Sequence, residues 1–151
     1  MEIEKRWICS EDLFSAICEQ LAEGRQAVFT VTGMSMWPFL CHGRDQVVLE
    51  AVEPETIRKG DIVLLRTFPG NYLLHRVTRM KDGKIETTGD GNCFRDGFFP
   101  GSVVLARAVR LIRPDRTIDC RAWNWQLAFR CWMALYPVRR PVMVLWRKIR
   151  K

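Results

Sequence analysis

A serine in the sequence TVTGMSMWPFL is the first candidate for a catalytic nucleophile in this chain. Ser35 lies between Met34 and Met36, two residues after Gly33 and two before a proline. A serine hydroxyl is a weak nucleophile at neutral pH, and it needs a base within hydrogen-bond reach and a third group to orient that base. Whether Ser35 can attack a substrate therefore depends on a histidine and a carboxylate elsewhere in the chain.

The chain has two histidines and a Gly-rich acidic loop that could supply these partners. His42 lies in the loop sequence LCHGRD, whereas His75 lies inside the apolar run YLLHRV. A histidine among leucines in a strand is most often a half-buried core residue, and this alternative stays open for His75. Asp90 and Asp96 follow one hairpin later, in TTGDGNCFRD, and either carboxylate could orient an imidazole. G-D-G-N by itself is also an ordinary turn sequence.

Composition and charge limit the classes of fold and partner. At 151 residues, of which 48% are hydrophobic, the chain fits one domain with a substantial core. A formal net charge of +7 favours anionic partners such as acidic lipid, acidic peptide or nucleic acid. The basic residues are mostly terminal and form no nucleic-acid-binding motif, so we expect no nucleic acid as a partner.

Cysteine spacing and the N-terminal sequence bear on cofactors and location. The six cysteines form no C-x-x-C pair, and a metal site built from Cys41, His42, His75 and Cys93 would match no standard spacing. We therefore expect no metal and no cofactor. MEIEKRWICSEDLF has no apolar core of a signal peptide, and unpaired thiols are typical of the cytoplasm.

The elements that would position these residues are mostly strands. The pattern of residues 10–25 predicts a helix, with Ser10 as N-cap, Gly24 as its end and an apolar stripe that packs on the core. High β-propensity and turn signals, including the Asp-Gly pair of KDGK, predict strands at 26–33, 45–52, 61–68, 71–80, 84–90 and 102–112. We predict a mainly β fold over residues 1–118, with an N-terminal helix.

Residues 119–151 form a different segment, rich in Trp, Leu, Met and Arg. The pattern predicts a helix before Pro137, a break at Pro137 and Pro141, and a short apolar piece, VMVLW, before a basic end. Arginines interrupt the apolar run before it reaches the roughly 18–20 residues that a membrane span needs. Two interpretations of this amphipathic tail stay open: an interfacial segment on an anionic membrane, or a segment that packs on the domain or on a second copy.

Four short motifs together resemble the signal peptidase I superfamily of serine proteases, which includes the SOS-repressor-type autoproteases. They are Ser35-Met36-x-Pro38, Gly60-Asp61-Ile62-Val63, His75-Arg76-Val77 and Gly89-Asp90-Gly91-Asn92. The similarity extends over residues 28–110 and implies the β-rich fold of that superfamily. A histidine in an H-R-V context resembles the branch found in archaea and the endoplasmic reticulum, where histidine stands in place of a lysine base.

The resemblance implies a role for each motif residue. Ser35 would be the nucleophile, His75 the general base and Asp96 the functional aspartate, because Asp96 lies a few residues past the G-D-G-N turn. Asp90 would shape the loop or assist, and the Ser35 backbone N–H would be an oxyanion donor. The expected function is a serine endopeptidase of the signal peptidase-like type that cleaves an extended peptide or leader.

Further expectations concern the substrate and the support of the site. Gly33 and Met36 would support the oxyanion region, while Met34, Trp37 and Phe39 would contact an extended peptide with small side chains near the scissile bond. Gly33 stands where signal peptidases often have a serine, and we expect no hydrophobic anchor at the N-terminal end. These departures motivate the alternative of a non-catalytic peptide- or membrane-binding module that retains the fold.

Overall fold

The computed structural model of the chain describes residues 10–67 and 71–149. Within them lie eight strands: β1 Ala27–Thr30, β2 Gln46–Ala51, β3 Ile62–Thr67, β4 Asn71–Lys81, β5 Lys84–Thr88, β6 Gly97–Pro100, β7 Val104–Ile112 and β8 Thr117–Asp119. They form one antiparallel sheet in the order β1-β2-β7-β3-β4-β5-β6, with β8 paired to β7. The described part also contains three α-helices, α1 Ser10–Ala22, α2 Trp123–Ala134 and α3 Arg139–Ile149, and three short 3-10 helices, Pro54–Thr56, Gly101–Val103 and Tyr136–Val138. The predicted fold class, mainly β with an N-terminal helix and a helical C-terminal segment, is confirmed.

The hairpin between β4 and β5 follows directly from its turn residues. Asp82 and Gly83 both have positive φ, 52° and 74°, as the two central residues of a tight hairpin turn require. Register runs from the pair Lys81–Lys84 to the pair Arg76–Thr88, with one irregularity after Val77. The predicted hairpin is confirmed, and it brings the histidine-bearing strand beside the strand that leads into the G-D-G-N loop.

Three features differ from the sequence-based expectation. Strands β6 and β8 were not predicted, because they are only four and three residues long and β6 is bounded by Gly and Pro. The expected break at Pro141 is wrong, since α3 runs continuously through VMVLW. Pro141 is the third residue of α3, where a backbone N–H has no intrahelical partner to lose.

Two apolar clusters cover the two faces of the sheet. Alternate residues of β3 divide between them: Ile62 and Leu64 join the larger cluster, whereas Val63 and Leu65 join the smaller one. The predicted apolar face of α1 packs on the larger cluster. This cluster also contains Met36, Phe39 and Leu40 of the serine segment, which is residues 30–40. The serine segment is therefore anchored by its own hydrophobic side chains.

The C-terminal segment packs on the domain. Phe129 of α2 is 1% exposed within the larger cluster, and Arg139 and Met143 of α3 are also buried. The predicted boundary between residues 118 and 119 separates two parts that share one core. None of the described helices is long and apolar enough to cross a membrane. The expectation of a chain start without a signal peptide concerns mainly residues 1–9, outside the described residues.

Candidate functional site

The most direct contact among the predicted site residues joins His75 and Asp96. His75 lies in β4 and is 5% exposed, and its Nδ1 is 2.5 Å from Oδ2 of Asp96. The Thr87 hydroxyl donates to the same carboxylate oxygen at 2.8 Å, and the Asp96 backbone N–H donates to the Thr87 carbonyl at 2.9 Å. Strand β5 thus holds the carboxylate in place, and the carboxylate in turn orients the imidazole.

This arrangement leaves the second ring nitrogen of His75 available for chemistry. An ionised carboxylate only accepts hydrogen bonds, so Nδ1 is the donor in this contact, and in the neutral imidazole Nε2 then has a free lone pair. Nε2 makes no hydrogen bond within the described residues. Among the described residues, the fully buried side-chain N and O atoms that lack a hydrogen-bond partner belong to Glu86, Arg113 and Arg139, and Nε2 of His75 is not one of them. Nε2 therefore retains some contact with solvent.

Ser35 lies in the loop between β1 and β2, against the residues that follow β5. Its backbone carbonyl accepts a hydrogen bond from the Gly91 N–H at 2.8 Å. Gly89 lies one residue beyond the ladder pair Arg76–Thr88, which places it across from His75. The serine segment thus packs against the loop that follows β5, and no hydrogen bond joins the Ser35 hydroxyl to His75 in the described part of the chain. The structure brings His75 and Asp96 into contact and puts Ser35 in the adjacent loop.

Close packing of the two loops depends on the absence of a side chain at Gly89. A Cβ built at Gly89 would lie 2.6 Å from the Ser35 carbonyl oxygen and 2.6 Å from Nδ2 of Asn92. A Cβ at Gly91 would collide with the Met34 carbonyl oxygen. The two glycines of the loop therefore permit backbone-to-backbone contact with the serine segment.

We expect Gly89→Ala to push the serine segment away from its position. Relieving a contact with a backbone oxygen requires a backbone shift, which costs about 1–3 kcal/mol of the free energy of unfolding. Urea unfolding measures this cost against Gly101→Ala, whose Cβ would meet only the Pro54 side chain at 3.3 Å. Equal stability of both variants would show that the loops are not tightly packed.

Asp90 has a partner other than the histidine. Its two carboxylate oxygens accept hydrogen bonds from Nε and Nη2 of Arg76, at 2.8 and 2.7 Å, and both side chains are almost completely buried. Nη1 of Arg76 donates to the Gly60 carbonyl at 2.7 Å, and its guanidinium lies 4.0 Å from the ring centre of Phe129. Asp90 is thus placed to hold the loop, and Asp96 is the carboxylate that meets His75.

The other histidine, His42, holds the start of the serine segment by a hydrogen bond. Gly33 has a φ of 80°, and its N–H donates to Nδ1 of His42 at 2.7 Å. This N–H is therefore already used and does not point to an oxyanion. The Ser35 N–H has no acceptor within the described residues, which leaves it available as a donor. Met36, 1% exposed in the larger cluster, anchors the segment on its other side.

A buried carboxylate closes the base of the same loop. Asp45 accepts hydrogen bonds from the Cys41 N–H at 2.8 Å and from the Arg44 guanidinium at 2.8 and 3.0 Å, and its own carbonyl accepts from the Val31 N–H. Burial alone would raise the pKa of Asp45, but the hydrogen bonds from Arg44 and Cys41 outweigh it and keep the pKa below the usual value. Hydrogen bonds therefore hold the loop that carries Ser35 at both ends, through His42 at Gly33 and through Asp45 just before β2.

A cavity of about 720 Å³ opens beside Ser35. It is lined by Met34, Ser35, Trp37, Gly91, Asn92, Met143, Trp146 and Arg147. Met34 and Trp37 thus lie where a peptide could reach them. Phe39 does not: it is 8% exposed and packs edge-on against Phe129 in the core, so the expectation that it contacts substrate is corrected.

Sequence reasoning missed the residues of α2 and α3 that contact the site loops. Trp132 donates from its indole N–H to the Asp90 carbonyl at 2.9 Å. Arg139 is 1% exposed, donates to the carbonyl of Asn92 at 3.1 Å, and has its pKa lowered by burial. The available signal was an arginine inside an apolar segment, which indicates either a solvent-facing charge or a buried one bonded to carbonyls.

Comparison with known proteins adds no further constraint. No protein-family model matches the chain, and no curated protein matches it significantly. Among the described residues, no cluster of three or more His, Cys, Asp or Glu side chains could hold a metal ion.

Proposed function

We propose that the chain is a serine endopeptidase of the signal peptidase-like type, with Ser35 as nucleophile, His75 as base and Asp96 as the group that orients the base. One observation carries the proposal: Asp96 holds Nδ1 of His75 at 2.5 Å while Nε2 has no partner within the described residues. A purely structural histidine gains little from an open nitrogen, whereas a general base requires one. The motif order shared with the signal peptidase superfamily supports the same assignment.

In the proposed mechanism, side chains and backbone of this chain carry out the acyl transfer. The Ser35 oxygen attacks the scissile carbonyl carbon while Nε2 of His75 takes the hydroxyl proton, and the Ser35 N–H stabilises the oxyanion. The imidazolium then gives its proton to the departing amine, and the same nitrogen later deprotonates the water that releases the acyl group. Catalytic hydrogen bonds in unliganded enzymes are often long and tighten when substrate binds, which is the movement required of Ser35.

A serine-directed fluorophosphonate probe tests the nucleophile directly. We expect the wild-type chain to be labelled at Ser35 and Ser35→Ala to lose the label while keeping the wild-type melting temperature. Ser102→Ala is the matched control, because Ser102 is an exposed serine outside the site. Persistent labelling of Ser35→Ala would contradict the assignment. Absence of label from the folded wild-type chain would favour the alternative of a non-catalytic binding module.

We also propose that α3 contacts an anionic membrane surface, because it exposes an apolar stripe beside basic residues. Within α3, Val142, Leu145 and Ile149 are each more than 40% exposed and recur at intervals of three and four residues. This spacing puts them on one side of the helix. Arg140, Arg147 and Lys148 accompany the stripe, and no acidic residue follows Asp119. Such a segment suits peripheral contact with acidic headgroups.

Sedimentation with phosphatidylglycerol vesicles tests this contact. We expect the chain to co-sediment with them and to be released by high salt, since part of the attraction is electrostatic. Val142→Glu should weaken binding several-fold by burying a charge at the interface. Val28→Glu, which changes a similarly exposed valine in β1, is the matched control. Equal binding of the two variants, or no binding to acidic vesicles, would contradict a role of α3 at a membrane.

A further inference from the structure

The cavity beside Ser35 has mostly apolar side chains among its lining residues. Two of its walls come from the serine segment, through Met34 and Trp37, and two come from α3, through Met143 and Trp146. A volume of about 720 Å³ is in the range of specific ligand pockets and exceeds the need of an alanine-sized side chain. Methionine and tryptophan together offer an adaptable, polarisable apolar surface.

The walls are held in position by contacts with one another and with residues behind them. The Trp37 ring lies 6.0 Å from the Trp146 ring and 6.4 Å from the Trp132 ring. Met143 is only 9% exposed, and Arg139 ties the start of α3 to the Asn92 carbonyl and to the Trp132 carbonyl. The pocket is therefore preformed, which lowers the entropy that a ligand must lose on binding.

The charge of the lining adds a second element of selectivity. Arg147 lines the cavity, and none of the described residues that line it is acidic. Arg147 makes no ion pair within the described residues, so its guanidinium can meet a carboxylate of a ligand. The cavity thus combines an apolar interior with one cationic group.

We propose that this cavity is a specificity subsite for a bulky apolar residue of the peptide, aromatic or long aliphatic, with an acidic residue next to it that meets Arg147. The inference rests on the proposed function, because it identifies the cavity as part of the Ser35 site. It differs from the small side chains that the resemblance implies. It makes α3, which lies beyond the predicted β domain, the element that determines substrate choice.

A binding measurement on the Ser35→Ala chain separates this inference from catalysis. Fluorescein-labelled, capped decapeptides of alanine and serine carry one Phe-Glu, Leu-Glu or Ala-Glu pair that is moved along the sequence. Anisotropy gives each dissociation constant. At one position of the pair, we expect the Phe-Glu and Leu-Glu peptides to bind roughly tenfold or more tightly than the Ala-Glu peptide, because the cavity would bury the larger apolar side chain.

Matched variants locate the preference in the pocket. Trp146→Ala should remove most of the preference for Phe over Ala, whereas Trp123→Ala, which changes an exposed tryptophan of α2, should retain it. Met34→Ala provides a second test at a half-exposed side chain, in case Trp146→Ala fails to fold. Arg147→Glu should weaken binding of the Phe-Glu peptide relative to a Phe-Gln peptide, and Arg140→Glu should not.

The outcomes distinguish the inference from the function on which it rests. A preference for Ala, or one that Trp146→Ala and Met34→Ala both leave intact, overturns the inference even if the wild-type chain cleaves peptides. A preference that depends on the pocket, together with a wild-type chain that never cleaves the bound peptides, supports the subsite as a binding site and overturns the endopeptidase proposal.

Discussion

Replacing His75 with glutamine is expected to lower peptide cleavage by about 10³-fold or more, because the general base is lost while the shape of the side chain is approximately kept. Glutamine can still donate a hydrogen bond to Asp96, so the buried carboxylate keeps a partner and the fold is retained. The measurement is kcat/KM on a fluorogenic peptide, alongside urea unfolding of the same preparation.

Two further variants separate a base from a structural histidine. Asp96→Asn should also reduce kcat strongly, because an amide can stabilise the wrong imidazole tautomer. Asp115→Asn, which alters an exposed aspartate paired with Arg116, is the matched control and should behave as wild type. If His75→Gln retained full activity, or if its only defect were lower stability, His75 would be a core residue and the proposed mechanism would be wrong.

Asp90→Ala is expected to cost more stability than Gly89→Ala, about 3–5 kcal/mol, because it leaves the buried Arg76 guanidinium without its anionic partner. The same change frees the loop that contacts the serine segment through Gly89 and Gly91, so probe labelling of Ser35 should fall as well. Urea unfolding and labelling rate measure the two effects on one sample.

A double variant shows whether the ion pair stabilises the loop or only fills the core. Arg76→Met combined with Asp90→Leu removes both charges and should recover much of the lost stability, since paired buried charges are often replaceable by apolar residues. The hydrogen bond from Arg76 to the Gly60 carbonyl is lost in this variant, so the recovery should be incomplete. Asp90→Ala with wild-type stability would contradict the buried, bidentate geometry.

The sequence by itself determined the motif order and most of the secondary structure. Alternating and continuous apolar runs predicted six of the eight described strands, because their hydrophobic period and β-propensity are local properties. The Asp-Gly turn predicted the hairpin that joins β4 to β5 for a similar reason. His75 was selected as the base over His42 by its context, but residue type alone left Asp90 and Asp96 equivalent as its partner.

Only the tertiary structure decided which side chains meet. Asp96 contacts His75 and Asp90 contacts Arg76, because neighbouring residues of β4 point to opposite faces of the sheet and each face selects its own carboxylate. The tertiary structure also decided that His42 accepts a hydrogen bond from the Gly33 N–H and that residues of α3 line the cavity beside Ser35. These contacts join residues that are far apart in the chain. A local sequence pattern cannot predict them, because they depend on how the elements pack together.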